Sequence, residues 1–489
     1  MKVVKDEQIK VLQNLIKHCS DIEYGNKNNF SHIKSYSDFK RSIPINNYGD
    51  LEPYIQRMKA GEANLLWPGQ ISDFAVSSGT SGKGKHIPLS KERIKSDQKF
   101  MRRVVLNYLT QSPNIFSLMG SHVSLPGNIE TISTNPDVRL GEISAFLALE
   151  SPSYLSMFQI LRPEVMIKEK WAEKFELCLD KAIKCDVRQI TAVPSWALRF
   201  FLRALEKTGK DSIREVWPNL KLLISGGEDI KIYLDHFDHL CRGLNMDYVE
   251  NYGASEGYFA FSDDLTRNDL RLTVDNGLFY EWIPNPHKDP DEMVKQEAIP
   301  TWEAKTGTPY GMVLTNNSGL WRYCVNDIIE FTDVSRPRIT VLGRTSEMLD
   351  RFGEALDGHQ AETALEETAQ LMDASFSSFV VGGILEKNEN TPVHVWFVQW
   401  LKKPDNMEGF IAELDQNIRA NNRHYAIRSE NKTIAQLKMY DLDQDILHRW
   451  KSENLPTGAQ TKVPRIITDD DKIKSLIQLC EQTDKIPSD

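Results

Sequence analysis

Ser77-Ser78-Gly79-Thr80-Ser81-Gly82-Lys83-Gly84-Lys85 packs three glycines, four hydroxyls and two lysines into nine residues, and its reading decides the fold. Glycine lets backbone amides approach an anion closely, hydroxyls donate hydrogen bonds and lysines supply charge. The stretch therefore reads as a phosphate cradle, with a flexible surface linker as the alternative. Upstream, Ile71-Ser72-Asp73-Phe74-Ala75-Val76 alternates as a strand does. From Ser90, the mixture of Ile94 and Met101 with many charges predicts a helix to about Thr110. Residues 77–103 hold eight Lys or Arg (Lys83, Lys85, Lys91, Arg93, Lys95, Lys99, Arg102, Arg103) against Glu92 and Asp97, inside a chain of net charge −10. That local excess favours an anionic ligand.

The totals set the frame. With 489 residues, 40% hydrophobic and 26% charged, the sequence describes a soluble globular protein of two or more domains. Its acidic balance argues against general nucleic-acid binding, and no apolar run reaches the ~18 residues of a membrane helix. Asp6 and Glu7 within an amphipathic pattern make the N-terminus neither a signal nor a transit peptide. Six cysteines without a CxxC pair point to reduced thiols and a cytoplasmic location.

The first 70 residues read as helices and loops. Trp171, Phe175, Cys178, Leu179 and Ala182 share one face of a helix predicted over 171–185. A strand at Gln189–Val193 is stopped by Pro194, a helix runs from Trp196 to Lys207, and a buried strand at Leu220–Ile224 ends in Ser225-Gly226-Gly227-Glu228. Another helix stripe, Tyr233 to Leu244, precedes Tyr252-Gly253-Ala254-Ser255-Glu256-Gly257. Strands that alternate with helices and end in Gly/Ser turns are the pattern of an α/β sheet with ligands at the carboxyl ends of its strands. Residues 277–342 read as β-rich. After Gly343-Arg344 a separate α+β domain is expected, with helices over 357–372 and 407–424, strands over 378–385, 393–400 and 434–440, and a last helix near 469–480.

Three motifs resemble other chemistry. Gly79-x-x-x-x-Gly84-Lys85 nearly spells a P-loop, but His86 stands where Ser or Thr should bind magnesium and Pro88 forbids an immediate helix start. Gly253-x-Ser255-x-Gly257 matches a hydrolase nucleophile elbow without any HGGG-like oxyanion stretch. Asp235, His236, Asp238, His239 and Cys241 raise a metal site, against which a solvated helix face is the better account.

The ordered set of turns resembles the adenylate-forming superfamily of ligases, and within it the Gretchen Hagen family of acyl-acid amido synthetases, known from plants and present in bacteria. Ser77 to Gly82 is similar to that family's first ATP motif, Tyr252 to Tyr258 to its second, and Gly319-Leu320-Trp321-Arg322-Tyr323 with Asp327 and Gly343-Arg344 to its third. Ser225-Gly226-Gly227 and Gly458-x-x-x-Lys462-Val463-Pro464-Arg465 are similar too.

The resemblance implies an α/β protein with mixed sheets and flanking helices: a large N-terminal domain, residues 1–343, and a small mobile α+β domain, residues 344–489, hinged after Arg344. It implies ATP and Mg2+ between them. The triphosphate would lie on Ser77, Ser78, Gly79, Thr80, Ser81, Gly82 and Lys85. Glu256 would bind magnesium, as a hard cation prefers carboxylate and phosphate oxygens. Asp327 would take the ribose hydroxyls, Arg344 the ribose or α-phosphate, and Tyr252, with Gly253, Ala254 and Ser255, the adenine, beside the Ser225-Gly226-Gly227 turn. A turn cap for Asp327, core for Tyr252 and a solvated charge for Arg344 are the structural alternatives.

Two departures stand out. Asn326 precedes Asp327 where relatives read Gly-Asp, although asparagine tolerates left-handed backbone. Gly353-Glu354-Ala355-Leu356 lacks a lysine that plant relatives tend to carry, so the charge for adenylation falls to Lys462 or Arg351.

The implied activity is a two-step ligase. A small-molecule carboxylic acid is adenylated with release of pyrophosphate, and an amino-acid amine then displaces AMP. A coenzyme A ligase, a Ser255 hydrolase and a non-catalytic nucleotide sensor are the rivals. Phe146 and Trp196 suggest an apolar or aromatic acid, with core as the equal alternative. The oligomeric state is open.

Overall fold

The computed structural model describes residues 1–77, 85–112, 119–132, 135–150, 158–166, 171–227, 230–287, 290–344, 348–349, 352, 354, 356–385, 392–430, 434–454 and 463–483. Four helices open the chain: α1 (Lys2–His18), α2 (Glu23–Lys27), α3 (Tyr36–Ser42) and α4 (Tyr48–Lys59). β1 (Asp73–Ser77) and β2 (Lys85–Leu89) then lead to α5 (Lys91–Gln111), β3 (Ser121–Ser124), β4 (Ile129–Ile132), β5 (Asn135–Gly141) and α6 (Ile143–Leu149). Alternation follows with α7 (Trp171–Ala182), β6 (Val187–Thr191), α8 (Pro194–Thr208), β7 (Leu222–Gly226), α9 (Leu234–Leu240), β8 (Asp247–Ala254) and β9 (Gly257–Phe261). The β-rich part is β10 (Leu270–Leu272), β11 (Leu278–Pro284), β12 (Ile299–Pro300), β13 (Pro309–Asn316), β14 (Tyr323–Asp333) and β15 (Arg338–Arg344).

Among the described residues one sheet of 11 strands runs β12-β11-β13-β14-β15-β10-β9-β8-β7-β6-β3. β3, β6, β7 and β8 are parallel, and from β8 to β12 every pairing is antiparallel. Helices cover both faces of its parallel part. Leu222 and Ile224 meet Phe100, Val104 and Tyr108 of α5, whereas Leu223 joins the apolar faces of α7, α8 and α9. This burial on both faces explains why the β7 strand reads as a continuous apolar run. A second sheet, β2-β1-β5-β4, packs with the N-terminal helices against β11, β13 and β14.

After β15 come β16 (Met348–Leu349), β17 (Leu356–Asp357), α10 (Gly358–Leu371), β18 (Ser375–Leu385), β19 (Pro392–Lys402), α11 (Met407–Asn421), α12 (Arg423–Glu430), β20 (Lys438–Asp441), α13 (Gln444–Asn454), β21 (Ile466–Ile467) and α14 (Asp470–Thr483). The sheet β20-β19-β18-β21 has a core on each face, giving the α+β unit that the sequence suggests.

Several boundaries differ from the expectation for identifiable reasons. Pro194 ends no strand but starts α8, where its fixed φ suits the first helical position. The helix expected over 407–424 breaks at Asn422, whose backbone is extended and whose side chain accepts from the Tyr425 amide at 2.9 Å, capping a new helix. α13 was not expected at all: Ile446, Leu447 and Trp450 are its buried residues among many charges.

Candidate active site

The phosphate stretch spans an antiparallel hairpin. Ser77 pairs with Lys85, and Ser78, Gly79, Thr80, Ser81 and Gly82 lie outside the described residues, as do Lys83 and Gly84. Lys85 opens a strand rather than a helix, and Pro88 sits within it, so the P-loop alternative fails on topology. The Lys85 ammonium lies 5.9 Å from the Tyr48 ring centroid, and the Tyr48 hydroxyl accepts from the His86 amide at 3.0 Å. His86 Nδ1 is 2.9 Å from Lys59 Nζ; burial, and then the lysine's charge, lower the imidazole pKa. The charge excess over 77–103 needs correction, because part of it is structural. Arg93 is buried against Asp97, and Arg103 makes a two-pronged pair with Asp275 at 2.6 and 2.7 Å.

The second motif is also a hairpin. β8 and β9 are joined by the two-residue turn Ser255-Glu256, so Ser255 does not occupy a strand-to-helix elbow. Glu256 is 6% exposed. A side chain at Gly253 would bring its Cβ to 2.6 Å from the Tyr258 ring, which accounts for glycine before Ala254. The Tyr252 hydroxyl donates to Asp327 Oδ2 at 2.5 Å, and its ring meets Phe259 edge-on at 5.0 Å. At the end of β7, Ser225 is buried and its hydroxyl has no partner among the described residues. Beside it, a Cβ on Gly226 would lie 2.4 Å from Asn251 Oδ1, and Gly227 has φ 87°. An unpaired buried hydroxyl beside a side-chain-free turn fits a ligand group.

The third motif is locked into the core. Gly319 has φ 100°, and a Cβ there would lie 2.6 Å from that of Leu66. Trp321 is buried, donates its indole N–H to Leu66 O at 3.1 Å and meets Phe30 edge-on at 4.6 Å. Arg322 makes a buried fork with Glu281 at 2.8 and 2.9 Å and donates to Ile43 O at 2.6 Å. Asn326 has φ 69°, the left-handed backbone that makes it a workable substitute for glycine before Asp327. Asp327 is buried and stands opposite Arg344 in the β14–β15 register. The side chains of Ser77 and Arg344, and Lys462 with Arg351, lie outside the described residues.

The segments that follow the first motif and precede the third meet the turn of the second at one buried junction. Ser90, the cap of α5, accepts from the Arg93 amide at 2.9 Å and donates its hydroxyl to Asn317 O at 2.5 Å. The Ser90 amide donates to Ser318 Oγ at 2.7 Å, and that hydroxyl donates to Pro88 O at 2.6 Å. Glu256 O accepts from Arg93 Nη1 at 2.5 Å and from Asn316 Nδ2 at 3.0 Å. Ser90, Arg93, Asn316 and Ser318 belong to no motif noted in the sequence. The sequence marks Ser90 only as a helix start, Arg93 only as one of the basic residues over 77–103, four before Asp97, and Asn316-Asn317-Ser318-Gly319 only by its turn composition.

Other expectations fare differently. Phe146 is core, packed with Arg139 5.6 Å from its ring centroid, whereas Trp196 is partly buried beside the core under α8. Among the described residues no group of three or more His, Cys, Asp or Glu could hold a metal; on α9, His239 is exposed and His236 partly buried. No described helix is long and apolar enough to cross a membrane.

Comparison with known proteins bears on the family and the fold. Indole-3-acetic acid-amido synthetase GH3.3 of Arabidopsis thaliana is 22% identical over an alignment of 538 residues, covering 94% of this chain and 89% of its own length. GH3.5 from the same plant is 21% identical, covering 76% of this chain and 73% of its own. The solved GH3.15 acyl acid amido synthetase superposes with TM-score 0.80 at 17% identity, over 97% of this chain and 93% of that one. A 2-hydroxyisobutyryl-CoA ligase in the postadenylation state, in complex with 2-HIB-AMP, gives TM-score 0.63 at 12% identity, over 97% and 91%. The fold is thus that of adenylate-forming enzymes, with a large N-terminal and a smaller C-terminal domain. Models of the GH3 family N-terminal, central and C-terminal domains match residues 1–173, 271–344 and 359–471, and with most of its length so matched the chain belongs to the GH3 family.

Proposed function

We propose that this chain is an ATP-dependent acyl-acid amido synthetase. The observation that carries the reading is the Tyr252–Asp327 hydrogen bond, which joins the second and third motifs beside the buried Glu256 turn. Relatives named as amido synthetases support the reaction class.

In the first step a carboxylate oxygen of the acyl acid bonds to the α-phosphorus of ATP and pyrophosphate leaves. In the second, an amino-acid nitrogen bonds to the acyl carbon, AMP leaves and the amine loses a proton. Asp327, held by Tyr252, receives the ribose hydroxyls. The Ser77–Gly82 loop and Lys85 hold the triphosphate, and Ser225, Gly226 and Gly227 border the base. Glu256 holds Mg2+, which when bound neutralises charge on the phosphates. Arg344 and Lys462 supply positive charge at the reacting phosphate. The division into residues 1–343 and 344–489, with a hinge after Arg344, is supported by the separate sheets: among the described residues no strand of β20-β19-β18-β21 pairs with the 11-stranded sheet. Closure excludes water while the acyl-adenylate exists, and reopening admits the amine.

ATP–pyrophosphate exchange, screened over aromatic, fatty and amino acids with Glu256→Ala as control, tests the first step, and amide formation over a panel of amino acids tests the second. Exchange that depends on one acid class and is lost in the variant is expected; ATP binding without exchange for any acid would favour the sensor reading. The CoA-ligase neighbour motivates one rival, for which thiol consumption without amide formation is the signature. The hydrolase reading loses its support because Ser255 sits in a hairpin turn.

A further inference from the structure

We propose that Arg93 is the positioning residue for the Glu256 carboxylate, acting with Asn316 on the backbone of the turn that carries it. This rests on Glu256 being the magnesium ligand.

A two-residue turn between antiparallel strands fixes its side chains only as well as its own peptide groups are fixed. Here the fixing comes from outside the hairpin. From the first turn of α5, the Arg93 guanidinium sends Nη1 to Glu256 O at 2.5 Å and lies 3.4 Å from Ser255 O, while Nε donates to Asp97 Oδ2 at 2.8 Å. Asn316 Nδ2 reaches the same Glu256 carbonyl at 3.0 Å from the end of β13, and Asn316 Oδ1 accepts from the Ser318 and Leu320 amides at 3.0 Å each. Both donors are buried. The carbonyl of Glu256 is therefore held by two side chains, each anchored by a further bond of its own.

The backbone of Arg93 completes the connection. Its amide donates to Ser90, which is bonded to Asn317 and Ser318 and directly follows the β2 strand that returns from the phosphate loop. One residue thus ties the phosphate hairpin to the metal-bearing turn, and Asn316 ties that turn to the third motif. Lysine keeps the charge but has no planar fork, so it cannot serve Asp97 and the turn together in the same geometry. A carboxylate displaced by about 1 Å costs a positioned reaction on the order of 100-fold.

Three variants separate positioning from folding: Arg93→Lys, Asn316→Ala and, as control, Arg103→Lys, which weakens an ion pair on the same helix away from the turn. Two readouts are taken: hydrogen–deuterium exchange over residues 250–261 in the nucleotide-free protein, and the free Mg2+ needed for half-maximal pyrophosphate exchange. Arg93→Lys and Asn316→Ala are expected to speed amide exchange in that segment and to raise the Mg2+ requirement about tenfold, and Arg103→Lys to do neither. If Arg93→Lys does not fold, Asn316→Ala gives the same readout from the other donor. Folded variants whose amide exchange in 250–261 matches that of Arg103→Lys would overturn the proposal. A Glu256→Gln protein whose Mg2+ requirement is unchanged would instead overturn the metal assignment, and the amide-exchange comparison would still decide whether Arg93 holds the turn.

Discussion

Arg93 and Arg103 lie on one helix and each pairs with an aspartate, yet burial gives the two pairs opposite characters. Side-chain exposures are 0% and 1% for Arg93 and Asp97, against 34% and 35% for Arg103 and Asp275. Burial raises the Asp97 carboxyl pKa, against the opposing pull of Arg93 and of the Tyr258 backbone amide. Hydrogen bonding from Arg103 instead lowers that of Asp275 to about 2. Chemically identical pairs thus differ in what holds them together. The buried one costs desolvation and is justified by the turn it grips, whereas the partly exposed one ties α5 to the segment after β10, 172 residues on, in an ordinary surface ion pair.

The comparison can be broken in five ways. The largest effect is expected from Arg93→Met, which leaves Asp97 charged and buried alone: a loss of about 3–5 kcal/mol in urea unfolding followed by tryptophan fluorescence. Adding Asp97→Leu removes the stranded charge, and stability is expected to return to within about 1 kcal/mol of the parent. Pyrophosphate exchange in that double variant stays down roughly 100-fold, because the turn has lost its donor. Arg103→Ala is expected to cost only about 0–1 kcal/mol in the same unfolding measurement. That small difference has its own pH signature. A carboxylate whose folded pKa is depressed stabilises fully above its unfolded value near 3.8 and loses the contribution as pH falls toward 2. The parent and Arg103→Ala unfolding curves should therefore converge between pH 4 and 2, and a gap that persists at pH 2 would show that packing rather than charge binds Asp275.

The same contrast explains what the sequence made legible. Strands ending in Gly/Ser turns are readable because a buried parallel strand needs an apolar run and a turn crowded by its neighbour, as Gly226 is by Asn251, needs a small residue. Asn326 was readable because few residues tolerate φ 69°. Arg93 was not, since an arginine and an aspartate four apart on a charged helix look the same whether they face water or a carbonyl. Nor was the antiparallel return at Lys85–Leu89 recognised: Pro88 excluded a helix without announcing a strand. In Trp171–Ala182 the apolar stripe gave the helix, but Phe146, equally apolar, could have been pocket or core until its neighbours were known.

The Arg322 clamp has a consequence for how the protein is made. Ile43 O and Arg322 are 279 residues apart in the chain, and Gln8 is tied across similar distances to Leu278 and Tyr280. At ~5–20 residues per second on a ribosome, the N-terminal helices emerge on the order of 15–60 s before the strands that cover them. Throughout that interval Leu12, Leu15 and Ile16 of α1 have no β11 to pack against. The apolar face of α1 thus stays uncovered on the nascent chain until β11 is made, a window in which a chaperone's shelter would serve it.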